Sequence, residues 1–164
     1  MQTFLPYADF ARCAAVLDNP RLGKQRVEAL QVMQVLLGLR WDNAAGVIHP
    51  FTPKGWRNHP VVLMWQRYEA GLAAYQDAVC DEWTARGFVD TCKAKTRGLL
   101  ATAQRSGHES AASPLWLGDA ALHRSHQSNL IRKDAAVYAP LFPGVPDDMP
   151  YVWPVSAPGR VSAG

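Results

Sequence analysis

The chain lacks most of the features that mark an enzyme class. Its three cysteines, Cys13, Cys80 and Cys92, form no CxxC pair and are odd in number. A disulfide framework is therefore not expected, and the reading is reduced thiols in a cytoplasmic protein. No GxSxG elbow is present, and no cysteine sits in a reactive context, which argues against nucleophilic triads. The absence of a P-loop and of GxGxxG argues against the common nucleotide folds. No apolar run is long enough to cross a membrane. The first residues, Met-Gln-Thr-Phe-Leu-Pro-Tyr, lack the basic region and apolar core of a signal peptide. Charge is also sparse: 19% of residues are charged and the net charge is +3. That permits a nucleic-acid partner without demanding one.

His123 and His126 stand three apart, with Asp119 a turn earlier, a spacing that can serve metal ligation. No cysteine or carboxylate cluster completes the set, so neither a metal nor a cofactor is expected. His49 and His59 each precede a proline, where a capping or hydrogen-bonding role is as ordinary as ligation.

What is present is a globular composition, 48% hydrophobic over 164 residues. This length suits one domain, read as residues 1–154 with a frayed tail at 155–164. Periodicity places several helices, one of them long and central, between irregular loops. Asn19 is the expected N-cap of a first helix, with Pro20 at its first position and Gly38 closing it after Leu37. Leu22, Ala29, Leu30, Met33 and Leu37 form its apolar side. Arg26 projects towards that side, so it is expected to have a carboxylate or carbonyl partner or to lie at the edge. Residues 38–58 read as a loop. Asn58-His59-Pro60 opens the longest helix, which Arg86-Gly87 closes. Residues 89–114 read as a mobile connection or a short irregular helix. A further helix, about 119–133, is polar nearly all round, so it faces solvent or a polar partner. Tyr151-Val152-Trp153 is expected to strap back onto the body.

The densest chemistry lies on the first helix. Arg21, Lys24, Gln25 and Glu28 share one face at i, i+3, i+4 and i+7. By spacing alone this is an ordinary solvated face with one Lys24–Glu28 pair. It is also a lone carboxylate among cations and amides, which suits a site that meets a phosphodiester and moves a proton. The polar helix adds Arg124, Gln127, Asn129, Arg132 and Lys133. The Gly55–His59 turn adds Trp56 and Arg57. Cations seat phosphates, amides position the backbone, and an aromatic can stack on a base.

Three blocks carry a family resemblance. They are Leu17-Asp18-Asn19-Pro20-Arg21-Leu22 through Arg26-Val27-Glu28; His59-Pro60-Val61-Val62 through Trp83-Thr84-Ala85-Arg86-Gly87-Phe88; and Ser125-His126-Gln127-Ser128-Asn129-Leu130-Ile131-Arg132-Lys133-Asp134 with Tyr138. In order and spacing they resemble the phage-type pyrimidine-dimer DNA glycosylase/AP lyase family, most closely a bacterial branch. The resemblance implies an all-α enzyme, a compact single-domain helical fold with a long central helix and irregular loops, free of cofactors, that acts as a monomer on double-stranded DNA holding a damaged or modified base. It implies work on the nucleoid in the cytoplasm. Such enzymes take a nucleotide out of the stack, at a cost lowest at a lesion. Glu28 falls on the family's catalytic carboxylate. The family's nucleophile is an α-amine, which ordinarily titrates near ~8 against about 10.4 for a lysine, so it is the better nucleophile at neutral pH.

Gln2 is too bulky for ordinary removal of the initiator methionine. The amine is then that of Met1, or Lys24 replaces it, or the lyase step is absent. The DNA contacts implied are Arg21, Gln25, Arg26, Trp56, Arg57 and His59, then Ser125, His126, Gln127, Asn129, Arg132 and Lys133. Neutral Val27 and Gln31 stand where the family has cations. Two other readings compete: a non-catalytic helical nucleic-acid-binding module, and a protein-interaction domain docking through its aromatic tail.

Overall fold

Asp18, rather than Asn19, caps the first long helix in the computed structural model, which describes residues 1–154. The tail read as frayed, 155–164, lies outside the described residues. Among those described, seven helices and one two-stranded hairpin make up the regular structure, so the fold is all-α. None of these helices is long and apolar enough to cross a membrane.

α1 (Phe10–Ala15) starts at Asp9, whose carboxylate accepts the Arg12 N–H. α2 (Asn19–Leu37) follows. The Asp18 carboxylate accepts the Arg21 N–H at 2.8 Å, while the Asn19 side chain is drawn away to the Arg86 guanidinium. Gly38 ends α2 in the left-handed region, at φ 62°, where glycine carries no Cβ penalty. Arg26 finds the partner its position requires. Its guanidinium meets Asp90 at 2.5 Å and lies 4.4 Å over the Trp83 ring.

The expected loop at 38–58 contains a hairpin instead, β1 (Leu39–Asp42) against β2 (Val47–Pro50), with Arg40 opposite His49. The Asp42 carboxylate accepts the Ala44 and Ala45 N–H groups and shapes the turn. Two strands alone are marginal. These lean on a neighbouring helix, where Trp41 and Ile48 reach the small surface left by Gly98.

The expected longest helix is in fact two, α3 (Pro60–Trp65) and α4 (Glu69–Ala85), and α2 is longer than either. Arg67 interrupts it at φ 70°, a conformation uncommon outside glycine. Tertiary contacts offset that cost. The buried Glu69 carboxylate accepts the Arg67 N–H, and the Ala111 N–H donates to the Arg67 carbonyl at 2.8 Å. A Cβ at Gly71 would stand 2.7 Å from the Ala112 carbonyl oxygen, so this crossing requires glycine.

Where an irregular connection was expected, α5 (Cys92–Arg105) is a regular helix that buries Cys92, Thr96, Leu99, Leu100 and Ala103 at helical spacing. α6 (Ala120–Lys133) starts at Asp119, and α7 (Ala135–Tyr138) follows.

The centre of the molecule holds an unusual guest. Thr3, Phe4, Leu5 and Pro6 are buried, yet they belong to no helix or strand. Buried backbone must still find hydrogen-bond partners, and side chains from three helices supply them. Gln25 accepts the Phe4 N–H at 2.9 Å, and the Tyr75 hydroxyl donates to the Phe4 carbonyl at 3.1 Å. Leu5 is held by a pair of histidines. Its N–H donates to Nδ1 of His126 at 3.2 Å, and its carbonyl meets Nδ1 of His123 at 2.8 Å. Gln127 donates to the Pro6 carbonyl, and the Trp65 indole donates to the Thr3 hydroxyl. This collar explains why α6 is so polar: its buried face meets backbone of its own chain.

Candidate active site

The collar delivers the chain's first amine to the carboxylate on α2. The Met1 nitrogen stands 3.8 Å from Oε1 of Glu28, and the Gln2 N–H donates to Oε2 at 3.1 Å. Gln25 joins the two parts. Its carbonyl oxygen takes the Phe4 N–H and the Tyr75 hydroxyl, while its amide nitrogen donates to Oε2 of Glu28 at 3.2 Å. Gln25 is buried at the wall of the cavity that Met1 and Glu28 line, and its bonds tie the N-terminal segment to the carboxylate.

The pair opens onto a cavity of about 770 Å³. Arg21, Lys24 and Lys133 supply its cations, and His59, Tyr151 and Trp153 supply rings. Arg21 is anchored by Asp18 and by the Lys133 carbonyl, with Asp134 at 3.8 Å. Lys24 is exposed, and no ion pair engages it among the described residues. Lys133 reaches across the Phe4 ring.

The aromatic wall follows from the C-terminal strap. Ser125 accepts the Val152 N–H and Ser128 accepts the Met149 N–H, each at 3.0 Å. Asn129 and Arg132 donate to the Met149 carbonyl. These bonds lay Tyr151 and Trp153 beside the amine. The rings then run on, with Trp153 and His59 at 6.3 Å and His59 and Trp56 at 5.0 Å.

His59 is the third titratable group at the pair. Its Nδ1 accepts the Val61 N–H, which leaves the proton on Nε2 of the neutral ring. Burial lowers its pKa, the Met1 ammonium lowers it further, and Glu28 pulls the other way. Burial raises the pKa of the Tyr151 phenol, and the nearby Gln2 side chain pulls it the other way.

The expected contacts therefore separate. Arg21, Lys24, Glu28, Met1, His59 and Lys133 come together at one cavity. Trp56 and Arg57 are exposed on the adjoining loop. Arg26 is turned to Asp90 and Trp83, away from that opening. Ser125, His126 and Asn129 are buried; Ser125 and Asn129 bond to the strap, and Nδ1 of His126 accepts the Leu5 N–H, while its Nε2 has no partner among the described residues. In this position they support the N-terminal segment and the strap rather than present an exposed face. Gln127 is half-buried on the Pro6 carbonyl, and Arg132 is exposed but tied to the strap. The sequence presents Tyr151 and Trp153 as a strap or, in the interaction reading, as part of a docking tail. Their nearness to Met1 had no local signal in sequence.

Neither a curated protein nor a solved structure matches this chain. A sequence model described as pyrimidine dimer DNA glycosylase matches residues 1–96. The match takes in Met1, Glu28, His59 and the part of the collar contributed by α2, α3 and α4, but not the part from α6. By that match, over more than half of its length, the chain belongs to the pyrimidine dimer DNA glycosylase family.

Proposed function

We propose that the protein is a DNA N-glycosylase with an associated AP lyase step, acting on a damaged or modified, pyrimidine-dimer-like base in duplex DNA. The observation that carries this reading is the Met1 amine 3.8 Å from a half-buried Glu28 inside a cation-rimmed cavity. The amine's lone pair attacks C1′ of the damaged nucleotide. The glycosidic C1′–N bond breaks, and its electron pair leaves with the base, which takes up a proton. Glu28 accepts the proton lost by the attacking amine and returns it to O4′ as the sugar ring opens, leaving a C1′ imine. Removal of a C2′ proton by the same carboxylate then expels the 3′ phosphate and nicks the strand. Water hydrolyses the imine and restores the amine.

Arg21, Lys24 and Lys133 supply the charge that seats the phosphates on either side of the sugar. Lys24 remains the alternative nucleophile, but it is exposed, whereas the Met1 amine is held at Glu28. The reading expects a monomer working on nucleoid DNA. Borohydride reduction on abasic duplex is expected to trap a covalent adduct, and peptide mapping is expected to find the sugar on Met1. Sugar on Lys24 would move the nucleophile. No adduct, with no base release from damaged duplex, would sink the enzyme reading.

A further inference from the structure

Strand scission puts a new negative charge on one atom. When the C3′–O3′ bond breaks, its electron pair stays on the phosphate oxygen. A hydrogen-bond donor already in place there lowers the barrier. That oxygen is attached two carbons beyond C1′, so its donor must stand beside the Met1–Glu28 pair, in the cavity that holds the phosphates.

The cations of that cavity are poorly suited to the task. The Arg21 guanidinium is held by Asp18 and by the Lys133 carbonyl. Lys24 is exposed, and Lys133 lies across the Phe4 ring. They match the standing charge of phosphate groups better than charge that develops at a single atom.

His59 differs in how firmly it is fixed. Its backbone N–H donates to the Trp56 carbonyl at 2.9 Å, and its carbonyl accepts the Val62 N–H at 2.8 Å. The turn before it is strained, since Trp56 holds φ 68°. The Trp56 and Trp153 rings lie 5.0 and 6.3 Å from the imidazole. Nδ1 accepts the Val61 N–H at 3.2 Å, so the neutral ring carries its proton on Nε2. Among the described residues, Nε2 has no protein partner, and the ring lines the cationic cavity with Met1 and Glu28. Burial and the Met1 ammonium lower its pKa, which keeps the ring neutral near neutral pH. It therefore offers an N–H without giving up a proton.

We propose that His59 is a further catalytic residue of the lyase step: its Nε2–H hydrogen-bonds the phosphate oxygen that departs from C3′. The proposal rests on the AP lyase reading above and deepens it. In this step Glu28 takes the C2′ proton, and the C2′–H electron pair becomes the C2′–C3′ double bond. The C3′–O3′ pair leaves on the phosphate, which departs as an anion. His59 transfers no proton. It meets the charge as it forms and is left unchanged.

Two substitutions separate the helix cap from the donor. An asparagine can accept the Val61 N–H as Nδ1 does, but it has no N–H at the position of Nε2. A glutamine carries its amide nitrogen out to that position. Wild type, His59→Asn and His59→Gln are each given a duplex with one abasic site. Borohydride at short times gives the rate of adduct formation, and a denaturing gel without borohydride gives the rate of nicking. The ratio of nicking to adduct formation is expected to fall by about tenfold or more in His59→Asn, and to return to within about threefold of wild type in His59→Gln. A second duplex carries sulfur in place of the bridging 3′ oxygen. A thiolate leaves readily without a donor, so the ratio for His59→Asn is expected to recover there. A merely structural role would not give that recovery. An unchanged ratio in His59→Asn would overturn the proposal, since His59 would then serve the amine or the binding of DNA. Equal losses in both variants, on oxygen and sulfur duplexes alike, would also overturn it. Wild-type protein that forms the adduct without nicking, or that does neither, would instead overturn the lyase reading beneath it.

Discussion

Helix α2 turns Arg21, Lys24 and Glu28 towards an open cavity, whereas α6 turns Ser125, His126, Ser128 and Asn129 into the protein. The two helices draw on similar residue types. What separates them is what lies opposite. α2 faces space large enough for a ligand. α6 faces irregular backbone, the N-terminal segment on one side and the strap on the other, and its hydroxyls, imidazoles and amides complete hydrogen bonds that a helix or sheet would otherwise supply. A polar helix face is thus evidence of a polar partner, and that partner can be the same chain.

The sharpest way to break this contrast is Glu28→Gln. An amide keeps an acceptor for the Gln2 N–H and nearly the same shape, but it cannot shuttle a proton. Activity is expected to fall by about 10²–10⁴-fold, while DNA binding and the melting temperature stay close to wild type. A large loss of stability would show that α2, like α6, holds structure first. Single-turnover base release and a thermal melt distinguish the two outcomes.

The same contrast explains what could be read from sequence. The span of α2 and its stop at Gly38 were legible because a proline near the first turn and a glycine after the last are local signals. The need of Arg26 for a partner was legible from its position on an apolar side, although only the fold shows that partner to be Asp90. The break at Arg67 was not legible, since neither proline nor glycine marks it and its support comes from Ala111, more than forty residues away. α5 was obscured by lysines and arginines interleaved with its buried Cys92, Thr96, Leu99 and Leu100. Glu28 stood out as a lone acid among cations. The collar that sets Met1 against it is wholly long-range, so nothing local to His123 and His126 shows that their spacing serves a peptide backbone.

Stability against pH tests the other side of the contrast. Burial, with a smaller push from His123, lowers the His126 pKa from 6.5 to about 3. An unfolded chain therefore takes up a proton below about pH 6.5 that the folded ring refuses, so folding weakens as pH falls. Between pH 6.5 and pH 5 the loss is expected to reach about 2 kcal/mol. His59, also lowered, acts in the same direction. Urea midpoints at the two pH values, with the slope of the unfolding free energy unchanged, measure this. A flat profile would mean that His126 is free to charge in place, and the inward role given to α6 would fail with it.

The smallest expected effect lies where the contrast blurs. Lys133, in the last turn of α6, leaves the interior and joins Lys24 at the α2 cavity. If both lysines neutralise phosphates, Lys24→Ala and Lys133→Ala should each reduce the slope of log K against log salt by about 0.9. Arg26→Met, on α2 but turned to Asp90, should leave that slope unchanged. Titration of each variant with abasic duplex across a range of salt gives the three slopes. A change at Lys24 alone would confine the DNA-facing surface to α2. Equal changes at both lysines would mean that α6 holds the N-terminal segment along most of its length and meets the substrate only at its end.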